Sequence, residues 1–118
     1  MGSNLTLGAI GEEMACSWLV QNGYTLLHRN WRHRHYEIDI VTEKNKQLHF
    51  IEVKCRNHSV FGHPEDSVTR KKFKSLQKAV DEYLFLNPGH KWIQYDILSI
   101  TLFSDKDPEF FLLEDVFL

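Results

Sequence analysis

The stretch EIDIVTEKNKQLHFIEVK, from Glu37 to Lys54, decides how this chain is read. Two β-rich runs, Glu37 to Val41 and Leu48 to Lys54, flank a polar tip at Thr42 to Gln47, which is the pattern of a β-hairpin. Acids and a lysine at positions 37, 39, 52 and 54 interleave with Ile38, Ile40, Ile51 and Val53. Strand side chains alternate, so Glu37 and Asp39 share one face, and Glu52 and Lys54 share one face of the next strand. A turn centred on Asn45-Lys46 makes paired residue numbers sum to 91, setting Asp39 opposite Glu52 and Glu37 opposite Lys54. Asn-Lys is a weaker turn signal than Asn-Gly, and a slip of one residue would put Asp39 and Glu52 on opposite faces.

For stability alone this pairing is unfavourable, because two close carboxylates cannot both ionise cheaply. A hard divalent cation such as Mg²⁺ removes the conflict: it takes carboxylate oxygens, keeps several waters and binds phosphate alongside. The Val53 carbonyl offers one more oxygen, and Lys54 would project beside the metal, where it can orient or deprotonate a water. The plain alternative is an exposed hairpin face with a Glu37–Lys54 cross-strand ion pair and two incidental acids.

Outward from the hairpin, the periodicity predicts a first helix from about Leu7 to Asn22, with Thr6 as N-cap and Gly23 at C′. Leu7, Gly8, Gly11, Met14, Ala15, Trp18 and Leu19 share one arc of that helix. Glu12 falls inside the arc and Glu13 outside it, and an inward-leaning Glu needs a partner or a reason. Tyr24 to Trp31 reads as a first strand, and His58 to Asp66 as a loop. A second helix is expected from about Arg70 to Leu86, with Phe73, Leu76, Val80, Tyr83 and Leu84 as its core stripe and Asn87-Pro88-Gly89 ending it. Lys91 to Phe103 is β-rich, Ser104 to Pro108 is a turn, and Glu109 to Leu118 is a last strand. The order is α-β-β-β-α-β-β, an α/β chain with a mixed central sheet flanked by helices.

At 118 residues the chain is expected to form one domain, 1–118, large enough for an ordinary core. Cys16 and Cys55 make no CxxC pair or disulfide framework, which fits a reducing cytoplasm. No signal peptide and no membrane-spanning apolar run is seen; Met1 to Thr6 matches a myristoylation pattern, but without a polybasic segment, and reads as chance. The net charge of −2 hides an asymmetry. Residues 28–56 hold seven Lys/Arg against four Asp/Glu, and residues 57–78 five against two, whereas residues 79–118 hold two against eight. Such a basic middle can face a polyanion.

HRNWRHRH, His28 to His35, leads straight into the acidic strand. With simple alternation His28, Asn30 and Arg32 share one side, and Arg29, Trp31 and His33 the other. Arg32, Arg34 and Arg56 then rim the carboxylate cluster and can hold phosphates. A zinc site is disfavoured, since no Cys/His ligand spacing accompanies the histidines, while a charged, solvated edge strand is the serious competitor. Arg70-Lys71-Lys72 opens the second helix, where cations oppose the helix dipole and a bound phosphate would reverse the sign. Nothing in the sequence points to base readout.

Together these residues resemble the PD-(D/E)XK nuclease superfamily, and within it the YraN-like family of small bacterial proteins related to Holliday-junction resolvases. The resemblance is carried by Gly11-Glu12 with Ala15, Gly23-Tyr24, Asn30-Trp31-Arg32, Glu37 to Ile40, and Phe50 to Lys54 with Arg56. It continues through Phe61-Gly62, Pro64, Val68-Thr69, Lys72, Ala79, Tyr83-Leu84 and Asp96. It implies a restriction-endonuclease-like αβββαβ core. Carried over by residue, it implies Asp39 and Glu52 as ligands of Mg²⁺ or Mn²⁺, Lys54 as the catalytic lysine, and Glu12 as the first-helix Glu of the resolvase-like branch. The expected activity is metal-dependent hydrolysis of the DNA backbone, in branched or structured DNA. Glu37 is expected to orient Lys54 or a water, and Arg32, Arg34, Arg56 and Lys72 to hold phosphates; a homodimer would suit a junction. The alternative is a nucleic-acid-binding accessory module of the same fold with weak or no catalysis. Tyr36 and Phe73 favour it, because they stand where the family pattern has a glycine and a polar residue. A protein-interaction domain with a vestigial site is the third reading.

Overall fold

Thr6 opens helix α1 (Leu7–Gln21) from extended backbone, its Oγ1 accepting the Ala9 N–H at 3.1 Å. Gly23, at φ +88°, turns the chain away at the other end. The computed structural model, which describes residues 6–58, 69–90 and 92–116, continues with β1 (Thr25–His33), β2 (Tyr36–Lys44), β3 (Gln47–Asn57), α2 (Arg70–Leu86), β4 (Ile93–Leu102) and β5 (Glu109–Leu113). Most of the myristoylation match, most of the loop at 58–66, Val68 and the last two residues of the expected last strand lie outside the described residues.

The sheet order is β1-β2-β3-β4-β5, antiparallel except for the β3–β4 pair, which is parallel and joined through α2. On one face α1 packs Ala15, Cys16 and Leu19 against Tyr24, Ile40, Ile51, Leu98 and Ile100. On the other face α2 packs Leu76, Ala79, Val80 and Tyr83 against Ile38, Val41, Leu48 and Phe50. Consecutive residues such as Ile40 and Val41, or Phe50 and Ile51, fall in different clusters, as the period of two requires. Each fully buried side chain of this size contributes about 1.5–3 kcal/mol, so both helices are held by their apolar stripes. This is the restriction-endonuclease-like mixed sheet flanked by helices. No helix among the described residues is long and apolar enough to cross a membrane.

The hairpin register is as expected from Lys44↔Gln47 through Ile40↔Ile51, with Asn45 (φ 54°) and Lys46 (φ 64°) both left-handed, as a two-residue type I′ turn requires. Other expectations are corrected. The α1 arc starts too early: Leu7 and Gly8 are exposed because the first turn overhangs the sheet, while Cys16 joins the core. On α2, Ala79 is buried and Leu84 is only half-buried. β5 ends at Leu113 rather than running to the terminus, because the left-handed Asp115 (φ 55°) turns its N–H to Asp96 Oδ1 at 3.0 Å.

The simple alternation in β1 also fails. Asn30 takes φ 50° within the strand, a conformation that Asn tolerates better than most residues. Arg29 and Asn30 consequently both reach α1, and Trp31 turns to α2, its ring 5.4 Å from that of Tyr83. The partner strand breaks alternation at the same level: Ile38 joins the α2 core and Ile40 the α1 core, with Asp39 between them.

Helix α1 comes close to β3 only because position 11 lacks a side chain. A Cβ built on Gly11 would overlap Cys55 Cβ and stand 3.2 Å from its Sγ, whereas one on Gly8 meets nothing nearer than Thr6 Oγ1 at 3.9 Å. Gly11→Ala is therefore expected to lower the unfolding free energy by about 1–3 kcal/mol through overpacking. Gly8→Ala is expected to raise it by up to about 1 kcal/mol through helix propensity. Urea denaturation midpoints of the two variants check the pair, and a stable Gly11→Ala protein would refute the close approach.

Candidate functional site

The β2–β3 ladder stops at Ile40↔Ile51, one step short of the two acids. Beyond it the Val53 N–H donates to Asp39 Oδ2 at 2.9 Å, so a side-chain carboxylate stands where a neighbouring strand would have offered a carbonyl. The strands part at this level and leave a cleft of about 550 Å³ whose lining includes Asp39, Glu52, Glu37, Tyr36, Lys72 and Ser75. Its walls are the β2–β3 opening on one side and α2 from Lys72 to Lys78 on the other. Asp39 also lines a second hollow on the α1 side, together with Glu12, Asn30 and Arg32. The acid thus stands at a rim reached from both faces of the sheet.

Asp39 is pushed up to about 6 by burial first and by the Glu52 charge second, against the opposing pull of the Val53 N–H. Glu52, with its side chain 14% exposed, carries two lysines on one oxygen: Lys72 Nζ at 2.9 Å and Lys54 Nζ at 3.5 Å from Oε2. Burial, and then the Lys72 contact, hold Lys54 below the ordinary lysine range. Burial also works to lower Lys72, but its contacts with Lys54 and Glu52 leave it above that range.

Glu12 leans inward, as its place on the helix arc predicted. Asn30 Nδ2 donates to its Oε1 at 2.6 Å and Arg29 Nε lies 3.9 Å away, while Glu13 points outward to Arg29 Nη2 at 2.8 Å. Burial raises the Glu12 carboxyl, with Arg29 and Arg32 acting in the other direction.

The predicted residues are not all assembled as expected. Asp39, Glu52, Lys54 and Lys72 come together. Glu37 lines the cleft but does not pair with Lys54; it meets Arg32 Nε at 3.5 Å, because the register that would have set it opposite Lys54 ends at Ile40. Arg34 sits, left-handed at φ 58° and exposed, in the β1–β2 turn rather than on the cleft wall. Arg56 lies two residues beyond Lys54 on β3, half-buried. Phe73 is a core residue, its ring 5.2 Å from that of Tyr95, so it does not intrude on the cleft. Sequence reasoning missed His35, Ser75 and Lys78 in the lining, and Asn30 as the partner of Glu12. The helical spacing of Lys72, Ser75 and Lys78 was the available signal for two of them.

Among the described residues no three His, Cys, Asp or Glu side chains gather closely enough to hold a metal ion by themselves. The donors that do converge, two carboxylates in a cleft that also accepts solvent, fit a hard cation of the Mg²⁺ type, which keeps several waters and needs only one or two carboxylates.

The raised Asp39 makes a sign prediction. Between its ordinary value near 3.8 and about 6 the folded protein holds a proton that the unfolded chain has released, so stability falls as pH rises through that window. In chelator-treated buffer at pH 8, Asp39→Asn is expected to exceed the wild type in unfolding free energy by on the order of 1–3 kcal/mol. That advantage should vanish by about pH 4. Urea midpoints across the range check it, and equal midpoints at pH 8 would mean that Asp39 ionises there without penalty.

Comparison with known proteins agrees with this architecture. The family model described as "Uncharacterised protein family UPF0102" matches residues 11–100, which span α1 to most of β4. A UPF0102 protein of Chloroherpeton thalassium is 35% identical over 99% of this chain and 97% of its own length. One of Bacteroides thetaiotaomicron is 37% identical over 85% of this chain and 83% of its own. One of Chlorobium phaeobacteroides is 40% identical over 87% and 82%. With near-full-length relatives and a matching family model, and in agreement with its YraN-like motifs, the chain belongs to the UPF0102 family.

Proposed function

We propose that this protein is a metal-dependent endonuclease that hydrolyses the phosphodiester backbone of DNA, in branched or structured form. The observation that carries the reading is the Asp39–Glu52 pair, held in one cleft with Lys54 beside it at 3.5 Å from Glu52, although burial first and the Glu52 charge second push Asp39 up to about 6. A fold gains nothing from burying one carboxylate beside another, and perturbed acids in a cleft are the usual mark of a functional centre.

In this reading Asp39 and Glu52 would hold Mg²⁺ or Mn²⁺, with Glu12 approaching Asp39 from the α1 side. The bound cation would supply charge neutralisation at the phosphate and an acidified water. Asp39 is kept in position by the Val53 N–H, and Glu12 by Asn30. Lys54, held below the ordinary lysine range, is closer than a surface lysine to accepting a proton at Nζ, and as an ammonium it can stabilise charge growing on the phosphate. Arg32, Arg34, Arg56 and Lys72 would hold neighbouring phosphates, with Glu37 orienting the Arg32 guanidinium rather than Lys54. Recognition would be of the backbone and its shape.

One observation favours the second reading, a binding module without turnover: Tyr36, a bulky ring where the family pattern has a glycine, lines the same cleft as Asp39. Phe73, buried in the core, likewise offers no polar contact to the cleft.

Calorimetric titration with Mg²⁺ and Mn²⁺ is expected to give binding by the wild type that Asp39→Asn and Glu52→Gln abolish. Cleavage of a synthetic four-way DNA junction is expected to fall by about 10²–10⁴-fold in Lys54→Ala. Retained, salt-sensitive junction binding with neither metal uptake nor cleavage would select the binding module instead.

A further inference from the structure

Lys72 stands where a cation bound to Glu52 would exert its charge. Its Nζ lies 2.9 Å from Glu52 Oε2, and Lys54 Nζ is 3.5 Å from that same oxygen. Magnesium binds carboxylate oxygens at about 2.0–2.1 Å, so a divalent ion on Glu52 would be brought against an ammonium already hydrogen-bonded to the same group. Like charges at that range in a partly dry cleft repel strongly. One of them has to leave, and the structure indicates which. Glu52 is 14% exposed and sits on the central strand β3, paired along its length with β4. Lys72 is 44% exposed, on a long flexible stem in the first turn of α2.

Among the described residues, the displaced ammonium has no second carboxylate on its own helix end. The first turn of α2 contains no acid, and Thr69 Oγ1 is already engaged by the Lys72 N–H at 3.2 Å. Arg70 and Lys71 add further positive charge there. Asp39, the other acid that acts on Lys72, would be taken by the same ion, so among the described residues loading the metal leaves Lys72 beside other cations. With a phosphate at the mouth of the cleft, the same movement gives Lys72 an anionic partner and joins it to the N-terminal end of α2.

We infer that Lys72 is an internal counter-cation of the cleft, which holds Glu52 in the resting protein and passes to a nucleic-acid phosphate when a divalent cation takes Glu52, so that metal and nucleic acid bind cooperatively. This rests on the metal-dependent reading above and specifies how its site is regulated. The protein carries its own substitute for the metal, and a free ion gains little until substrate arrives. Thermodynamic linkage makes the effect reciprocal: the metal must strengthen nucleic-acid binding by the same factor.

The test is calorimetric titration of Ca²⁺, a hard cation with the same preference for oxygen ligands, with and without a four-way DNA junction whose integrity is checked on a denaturing gel. Wild type, Lys72→Met, Lys74→Ala and Asp39→Asn are compared, Lys74→Ala removing the same charge from an exposed position on the same helix. Without DNA, Lys72→Met is expected to bind Ca²⁺ about tenfold more tightly than wild type, and Lys74→Ala to stay within about twofold, the coupling lying in the usual 5- to 150-fold range. Adding the junction is expected to tighten Ca²⁺ binding in wild type and to do so distinctly less in Lys72→Met. If Asp39→Asn loses Ca²⁺ but Lys72→Met binds no better than wild type, the counter-cation role is overturned and the metal site stands. An equal gain in Lys74→Ala also overturns it, reducing the effect to net charge. If neither wild type nor Lys72→Met binds Ca²⁺, with or without the junction, the metal-dependent reading falls as well.

Discussion

The hydrogen bond from the Val53 N–H to Asp39 Oδ2 is the constraint on which the site depends. In a continuing hairpin that N–H would look for a backbone carbonyl on the next strand. Here a carboxylate takes it, at the level where β2 and β3 cease to pair. The bond satisfies a donor that the strand opening would orphan, and it fixes the acid at the mouth of the opening. It also favours the ionised form, but burial and the neighbouring Glu52 outweigh it, and Asp39 remains raised to about 6. The contact that ends the hairpin is therefore also what positions a strained acid.

That strain is distributed rather than relieved. Glu52 is flanked by two ammonium groups on one oxygen; burial and then the Lys72 contact lower Lys54, while the contacts with Lys54 and Glu52 outweigh burial and raise Lys72. A site selected for stability would place one lysine per carboxylate at the surface. The cleft instead holds two carboxylates and two ammonium groups whose charges cancel while Asp39 and Lys54 are both pushed toward their neutral forms, a condition under which a cation, a phosphate or a proton exchanges readily.

The two helices serve the rim of the sheet from opposite faces. Helix α1 brings Glu12 inward because Gly11 lets it lie against Cys55, and helix α2 brings Lys72 because Thr69 caps it at the cleft mouth. Between them Asn30 and Asp39 mark the level at which alternation breaks in β1 and β2 together. That break sends Arg29 and Asn30 to the α1 side, where they hold Glu12 and Glu13, and frees Trp31 to pack on Tyr83. A regular strand would have separated the residues that position Glu12.

Much of this was legible in the sequence because it depends on local rules. The Thr6 and Thr69 caps, the left-handed Gly23, the helical stripes, the Asn45-Lys46 turn and the register it sets through Ile40↔Ile51 follow from spacing and backbone preference. So did the shared face of Glu52 and Lys54, since side chains on a strand alternate, whereas Asp39 joins them through its bond to the Val53 N–H. What followed from the tertiary structure alone was where regularity stops. That the ladder ends before Asp39, that Glu37 turns to Arg32 and not to Lys54, and that Asn30 reverses a strand face all depend on how helices 1 and 2 press on the sheet. Periodicity extrapolates a strand indefinitely; packing decides the residue at which continuing it would bury a charge or leave a helix without a surface.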